Sequence, residues 1–205
     1  MKGNEELIFT NDSILIKETL DYATAVMHKA EKSLMHKLAD IVTKNGGDIL
    51  EIGFGMHLSA DRVQSNPTVT SHTIIEIHKD IYTKALQWAK DKPNVEILLG
   101  DWFDIIPTLN KKFDGVLHDT HLDSNLDNFL EVIKPNLNVG CILGFFQYDK
   151  VDHRIDGIRY SLPSEEYENL PYKDSPTFIN NQFELKHTVF NGIDFYRSVN
   201  VDKLL

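Results

Sequence analysis

The sequence predicts an α/β fold: a Rossmann-like, doubly wound, mostly parallel seven-stranded sheet that ends in an antiparallel β-hairpin and carries an N-terminal helical extension. Three observations predict it. Short apolar runs alternate with helix-period segments from Asp48 to Phe146, as in successive βαβ units. A Gly-x-Gly turn, Gly53 to Gly55, follows the first of these runs. Two strand-like runs, Phe183 to Phe190 and Ile193 to Val199, flank Asn191-Gly192, a dipeptide suited to the positive φ angles of a two-residue hairpin turn.

The elements follow in order. From about Leu20 to Asn45, apolar residues recur at helical spacing (Ala23, Met27, Ala30, Leu34, Leu38, Ile41, Val42), predicting one long helix or two in succession. Gly46-Gly47 supplies a left-handed stop. Asp48 to Gly53 reads as the first strand, Thr73 to Glu76 as the second and Val95 to Leu99 as the third. Helices are expected at Ile81 to Ala89 and Trp102 to Leu109. Phe113 to His118 is a fourth strand, Leu126 to Ile133 a helix and Gly140 to Phe146 a fifth strand. The polar segment Asp149 to Thr177 holds three of the chain's seven prolines and reads as a loop or lid. The 205 residues therefore form one expected domain: an extension over 1–47, a core over 48–147, a lid over 148–182 and a hairpin over 183–200.

Composition narrows the function. Asp and Glu outnumber Lys and Arg by 31 to 21, and the formal charge of −10 disfavours a phosphate-backbone partner. A cationic small molecule or basic peptide suits this charge better. One cysteine, Cys141, excludes an internal disulfide and a cysteine metal cluster, and its apolar setting predicts a buried structural thiol. No run reaches the roughly 20 apolar residues of a membrane span. No signal-like segment opens the chain, and the expected location is the cytoplasm.

The glycine turn predicts a nucleotide-type ligand, because glycine lets backbone approach it closely. Glu76, at the end of the second strand, is placed to accept hydrogen bonds from ribose hydroxyls. Three details favour S-adenosyl-L-methionine (SAM) over a dinucleotide. After Gly55 the chain reads Met56-His57-Leu58, without the third glycine of a pyrophosphate cradle. Gly100-Asp101-Trp102 follows the third strand, where an acid and an aromatic can flank adenine. The terminal antiparallel hairpin is a habit of methyltransferases.

With these segments placed, the sequence resembles the guanidinoacetate N-methyltransferase family and its relative, the fungal arginine δ-N-methyltransferase. The motifs are Ile49-Leu-Glu-Ile-Gly-Phe-Gly-Met56, Val26-Met27-His-Lys-Ala-Glu31-Lys-Ser-Leu-Met35-His36, Ile74-Ile-Glu76, Phe113-Asp-Gly-Val-Leu-His-Asp119-Thr120 and Phe195-Tyr196-Arg197. The resemblance implies SAM contacts from Met27, Met35, Gly53, Phe54, Gly55, Met56, His57, Leu58, Ser59, Glu76, Ile77, Asp101 and Trp102. It implies that Glu31 and Asp119 are catalytic and hold a guanidinium, with help from Gln147 and Tyr148. The sequence departs from the family pattern at Ala30, Ser33 and Leu34 in the helix motif, and places His118 and His121 around the aspartate.

The implied activity is N-methylation of a guanidino or similar cationic nitrogen in a small molecule or peptide. Other acceptors (amine, imidazole, carboxylate or hydroxyl) and a non-catalytic SAM-binding protein stay open. On residue type alone, Glu31 also fits a solvated helix charge, Glu76 a helix cap, and Met27, Met35 and Trp88 the core. His118 or His121 could act as a base; a metal site there is disfavoured.

Overall fold

The computed structural model of the chain describes residues 3–18, 25–120, 126–150, 181–190 and 193–202. A small antiparallel sheet comes first, formed by β1 (Leu7–Phe9), β2 (Ser13–Ile16) and β3 (Met27–His28). A 3₁₀ turn, Lys29–Glu31, leads into α1 (Lys32–Val42). The core then runs β4 (Gly47–Ile52), α2 (Leu58–Gln64), β5 (Val69–Glu76), α3 (Lys79–Ala89), β6 (Val95–Leu99), α4 (Trp102–Ile105), β7 (Phe113–His118), α5 (Leu126–Ile133) and β8 (Leu137–Lys150). The hairpin strands β9 (Asn181–Phe190) and β10 (Ile193–Asp202) close the chain.

The large sheet has seven strands in the order β6-β5-β4-β7-β8-β10-β9. All neighbours run parallel except β10 and β9, which pair antiparallel over ten residues. The order reverses direction between β4 and β7, and a crevice beyond the carboxyl ends of the strands is expected at such a switch point.

Side-chain alternation along each strand separates the two faces. Ile49 and Leu117 pack with Leu34, Leu38 and Val42 of α1. Leu50, Ile52 and Val116 point the other way, onto Phe129 and Ile133 of α5. A third cluster joins Phe54, Ile74, Ile81 and Ala85 to Leu7 and Phe9 of the first strand, so the small sheet docks beside the glycine turn. Cys141 is fully buried, and burial pushes its thiol up to about 12, as a structural thiol requires.

The N-terminal extension differs from expectation. Its helix is 11 residues long and begins at Lys32, not near Leu20. Met27, part of the expected helical stripe, lies on a strand and pairs with Ile14. The period of Met27, Ala30 and Leu34 is real, but the β1–β2 hairpin supplies an edge that captures residues 27–28, and tertiary pairing overrides local spacing. Ala23 lies outside the described residues, as do Asn191-Gly192 and residues 151–180 of the expected lid. The fifth strand is longer than expected at both ends. The helix expected from Trp102 to Leu109 is α4 followed by a 3₁₀ turn, Ile106–Thr108, with Pro107 inside it. Among the described residues, no helix is long and apolar enough to cross a membrane.

Candidate active site

The site is built where β4, β5 and β7 end. Ile52 closes β4, and the next peptide turns through Gly53 at φ 88° and Gly55 at φ 49°. A Cβ on Gly53 would lie 2.0 Å from the Asp119 carbonyl oxygen, and one on Gly55 would lie 2.6 Å from the Met27 sulfur. Glycine is therefore required twice, for backbone angle and for space. Gly53→Ala is expected to cost about 1–3 kcal/mol of stability and to abolish binding of S-adenosylhomocysteine, read by thermal melts and calorimetry. Retained affinity in that variant would remove the turn from the cofactor site.

Beyond the glycines, the Met56 N–H points to the Met27 sulfur at 3.1 Å. His57 caps α2 in the left-handed region, φ 54°, with its ring nitrogen 2.8 Å from Asp61. Leu58 is half-buried against the α1 side of the core. The Ser59 hydroxyl donates to the buried carboxylate of Glu51.

Glu76, the last residue of β5, is 3% exposed. Its carboxylate accepts the Phe54 N–H at 2.9 Å and the His78 N–H at 2.7 Å, binding the end of β5 to the glycine turn. Burial raises its proton affinity above the usual carboxylate range, and these backbone donors oppose the rise. Ile77 follows, half-buried. After β6, Asp101 caps α4 by accepting the Phe103 N–H at 2.9 Å. Trp102 presents its ring edge-on to His118 and Phe129, at 5.8 and 5.3 Å between centroids.

Asp119 is the first residue beyond β7, and its N–H continues the ladder to the Ile52 carbonyl at 2.9 Å. Its Oδ2 is buried and has no hydrogen-bond partner among the described residues, as is true of the neighbouring Thr120 hydroxyl. Glu31 reaches the same region from the 3₁₀ turn before α1, where its Oε1 accepts the His28 N–H at 2.7 Å. Burial first, and then the negative charge of Asp119, pushes Glu31 up to about 8. Burial, with the charges of Glu51 and Glu76 behind it, pushes Asp119 up to about 7. The structure thus brings together two carboxyl groups of raised proton affinity, one with an oxygen that has no partner among the described residues.

The structure thus gathers Met27, the turn from Gly53 to Ser59, Glu76, Glu31 and Asp119 around one end of the sheet. Met35 is fully buried on the core face of α1. Gln147 and Tyr148 lie on the outer half of β8. His118 is 1% exposed and stacks on Phe145 at 4.4 Å, while His121 lies outside the described residues. Sequence reasoning missed Glu51, Thr120 and His72. For Glu51 and His72 the signal was present, since a carboxylate and an imidazole inside apolar parallel strands require buried partners.

The residues fit SAM. The two glycines leave backbone room, the Glu76 carboxylate stands at the turn, and the carboxyl groups of Glu31 and Asp119 lie in the same region. The chain is 29% identical over 164 residues to Protein arginine N-methyltransferase 2 of Yarrowia lipolytica, covering 74% of this chain and 34% of that protein. It is 32% identical over 146 residues to Protein arginine N-methyltransferase 2 of Saccharomyces cerevisiae, covering 63% of this chain and 34% of that protein. The chain therefore spans about a third of the length of these curated relatives. An S-adenosylhomocysteine-bound methyltransferase from Podospora anserina overlays 57% of this chain and 52% of its own, with 18% identity and a TM-score of 0.46. The family model for guanidinoacetate N-methyltransferase matches residues 17–133, more than half of the sequence, and the chain belongs to that family of SAM-dependent methyltransferases.

Proposed function

We propose that this chain N-methylates the guanidinium group of arginine in a protein or peptide, with Glu31 and Asp119 as the acceptor clamp. The observation that carries this reading is the Glu31–Asp119 carboxyl pair, of which Asp119 Oδ2 is buried with no partner among the described residues. The named activity of the relatives, protein arginine N-methylation, favours arginine over a free guanidino compound.

When bound, SAM supplies an electrophilic methyl group on a positively charged sulfur. The protein's task is to bring a second cation to it. Two unit charges about 4 Å apart repel by about 4 kcal/mol at an effective dielectric near 20. Ionised Glu31 and Asp119 offset that repulsion and grip the guanidinium through paired N–H···O bonds. A protonated guanidinium nitrogen holds its lone pair in conjugation, so orientation of one nitrogen and removal of its proton are both needed. Asp119 is assigned the proton: its free oxygen accepts the hydrogen that leaves nitrogen as the new bond forms. Glu31, anchored by the His28 N–H, holds the other edge of the fork. In this reading Gln147 and Tyr148 border the acceptor, and Asp101 and Trp102 border the adenine.

The test is mass spectrometry of the chain incubated with SAM, arginine-, lysine- and histidine-containing peptides, and free guanidino compounds. A one-methylene gain on peptide arginine is expected. A gain on lysine or histidine would overturn the guanidinium clamp, and a gain only on a free guanidino compound would overturn the protein acceptor. No gain, with S-adenosylhomocysteine still bound, would point to a binding protein without turnover.

A further inference from the structure

The Glu76 carboxylate is held from two sides by backbone N–H groups, and one of them belongs to a residue whose ring is also engaged. That residue, His78, is buried. Its Nδ1 accepts the Asp80 N–H at 3.2 Å and so caps α3. A ring nitrogen that accepts carries no proton, so the ring proton stands on Nε2 and is donated to the Glu5 carbonyl oxygen at 2.7 Å. This bond ties the segment before β1 across the carboxyl end of β5.

The segment is shaped to lie there. Gly3, at φ 82°, comes so close to the Ile77 carbonyl oxygen that a Cβ would lie 2.7 Å from it. Glu5 Oε2 accepts the Gly3 and Asn4 N–H groups at 2.9 and 3.1 Å, which fixes the bend. Leu7 and Phe9 then pack on the cluster that contains Phe54, and Lys84 Nζ of α3 stands 4.4 Å from the centre of the Phe9 ring. A continuous line of hydrogen bonds runs from Glu5 to the His78 ring, from the His78 N–H to Glu76, and from Glu76 to the Phe54 N–H of the glycine turn.

We propose that His78 is a positioning residue that clamps residues 3–9 as a strap against the Glu76 end of β5, and that docking of this strap sets how long the cofactor stays bound. The proposal rests on the reading that Glu76 and the glycine turn hold SAM, and it is independent of which acceptor is methylated. A docked strap holds the Glu76 carboxylate in one orientation, so the arriving ligand does not have to order it. Such coupling is reciprocal: a strap that retains the cofactor is itself retained by it.

Two substitutions separate the two ends of the ring. His78→Asn puts an acceptor where Nδ1 stood and keeps the helix cap, but it is too short to reach Glu5. His78→Gln puts an amide N–H near the place of Nε2 and gives up the cap. In stopped-flow displacement from the full chain, S-adenosylhomocysteine is expected to leave His78→Asn about tenfold faster than the parent, and His78→Gln at a rate within about twofold of it. Gly3→Ala, which drives a Cβ onto the Ile77 carbonyl without touching His78, should speed release as much, and the double variant His78→Asn with Gly3→Ala should be no faster than either alone. Adding S-adenosylhomocysteine should slow backbone hydrogen exchange in residues 5–9 of the parent and not of His78→Asn. Unchanged release from His78→Asn or Gly3→Ala, equal acceleration in His78→Gln, additive effects in the double variant, or exchange indifferent to the ligand would each overturn the proposal. Gly53→Ala tests the underlying cofactor site separately, because it is expected to abolish binding, whereas the strap variants bind and differ in rate.

Discussion

Asp119→Asn is expected to slow turnover about a thousandfold, the scale of a lost general base that also orients its substrate. Binding of S-adenosylhomocysteine should be nearly unchanged, because Asn keeps the backbone that packs on Gly53 and the side chain's volume. The same variant should be more stable than the parent in alkaline solution. Burial pushes the Asp119 carboxyl from an ordinary 3.8 to about 7. A raised folded-state value means that the folded chain holds a proton which the unfolded chain has released. The resulting stability is present below the unfolded value and is lost as pH rises through about 7. At about pH 8 the parent carries the full cost of an ionised buried carboxylate, and the amide does not. Discounting for partial solvation, relief of about 2 kcal/mol corresponds to a rise in Tm of about 4–8 °C. Single-turnover rates and thermal melts at two pH values check both halves. A variant that is slow but no more stable at high pH would separate the base from its burial, and normal turnover would end the assignment.

The second large effect is in the pH profile. With Glu31 at about 8 and Asp119 at about 7, the empty site holds at least one proton near neutrality. In the proposed clamp the acceptor cation requires both groups ionised, so kcat/KM for the acceptor should rise about 500-fold between about pH 6 and about pH 8. The two protons belong to the pair and leave in two macroscopic steps. Once a guanidinium is bound, its charge lowers both affinities, so kcat itself should vary much less over that range. Glu31→Gln should remove one step from the kcat/KM profile and raise KM for the acceptor. A flat kcat/KM profile in the parent would mean that the clamp is already ionised when empty, and would undo the electrostatic account of acceptor binding.

Much of this protein is written locally. The alternation of apolar strands with helical segments specifies the parallel core, because strands buried on both faces must be continuously apolar while their helices need one stripe only. The strands at Val95 and Phe113 begin and end where the sequence places them. Gly53 and Asp119 each stand at the first position beyond a strand, Glu76 closes β5 and Gly55 follows in the glycine turn, so the sequence alone marks all four as candidates.

Tertiary structure alone decided the rest. Whether residues 27–28 joined a helix or a strand depended on an edge supplied by residues 13–14, and no spacing rule contains that partner. Nor could spacing bring Glu31, eighty-eight positions before Asp119, to face it. Their raised proton affinities arise from shared burial, a property of the assembled pocket. The Glu51–His72 pair is the clearest case. Each residue alone is an anomaly within an apolar strand, and only the parallel register of β4 and β5 joins them, because hydrogen bonding and charge act across space and not along the chain.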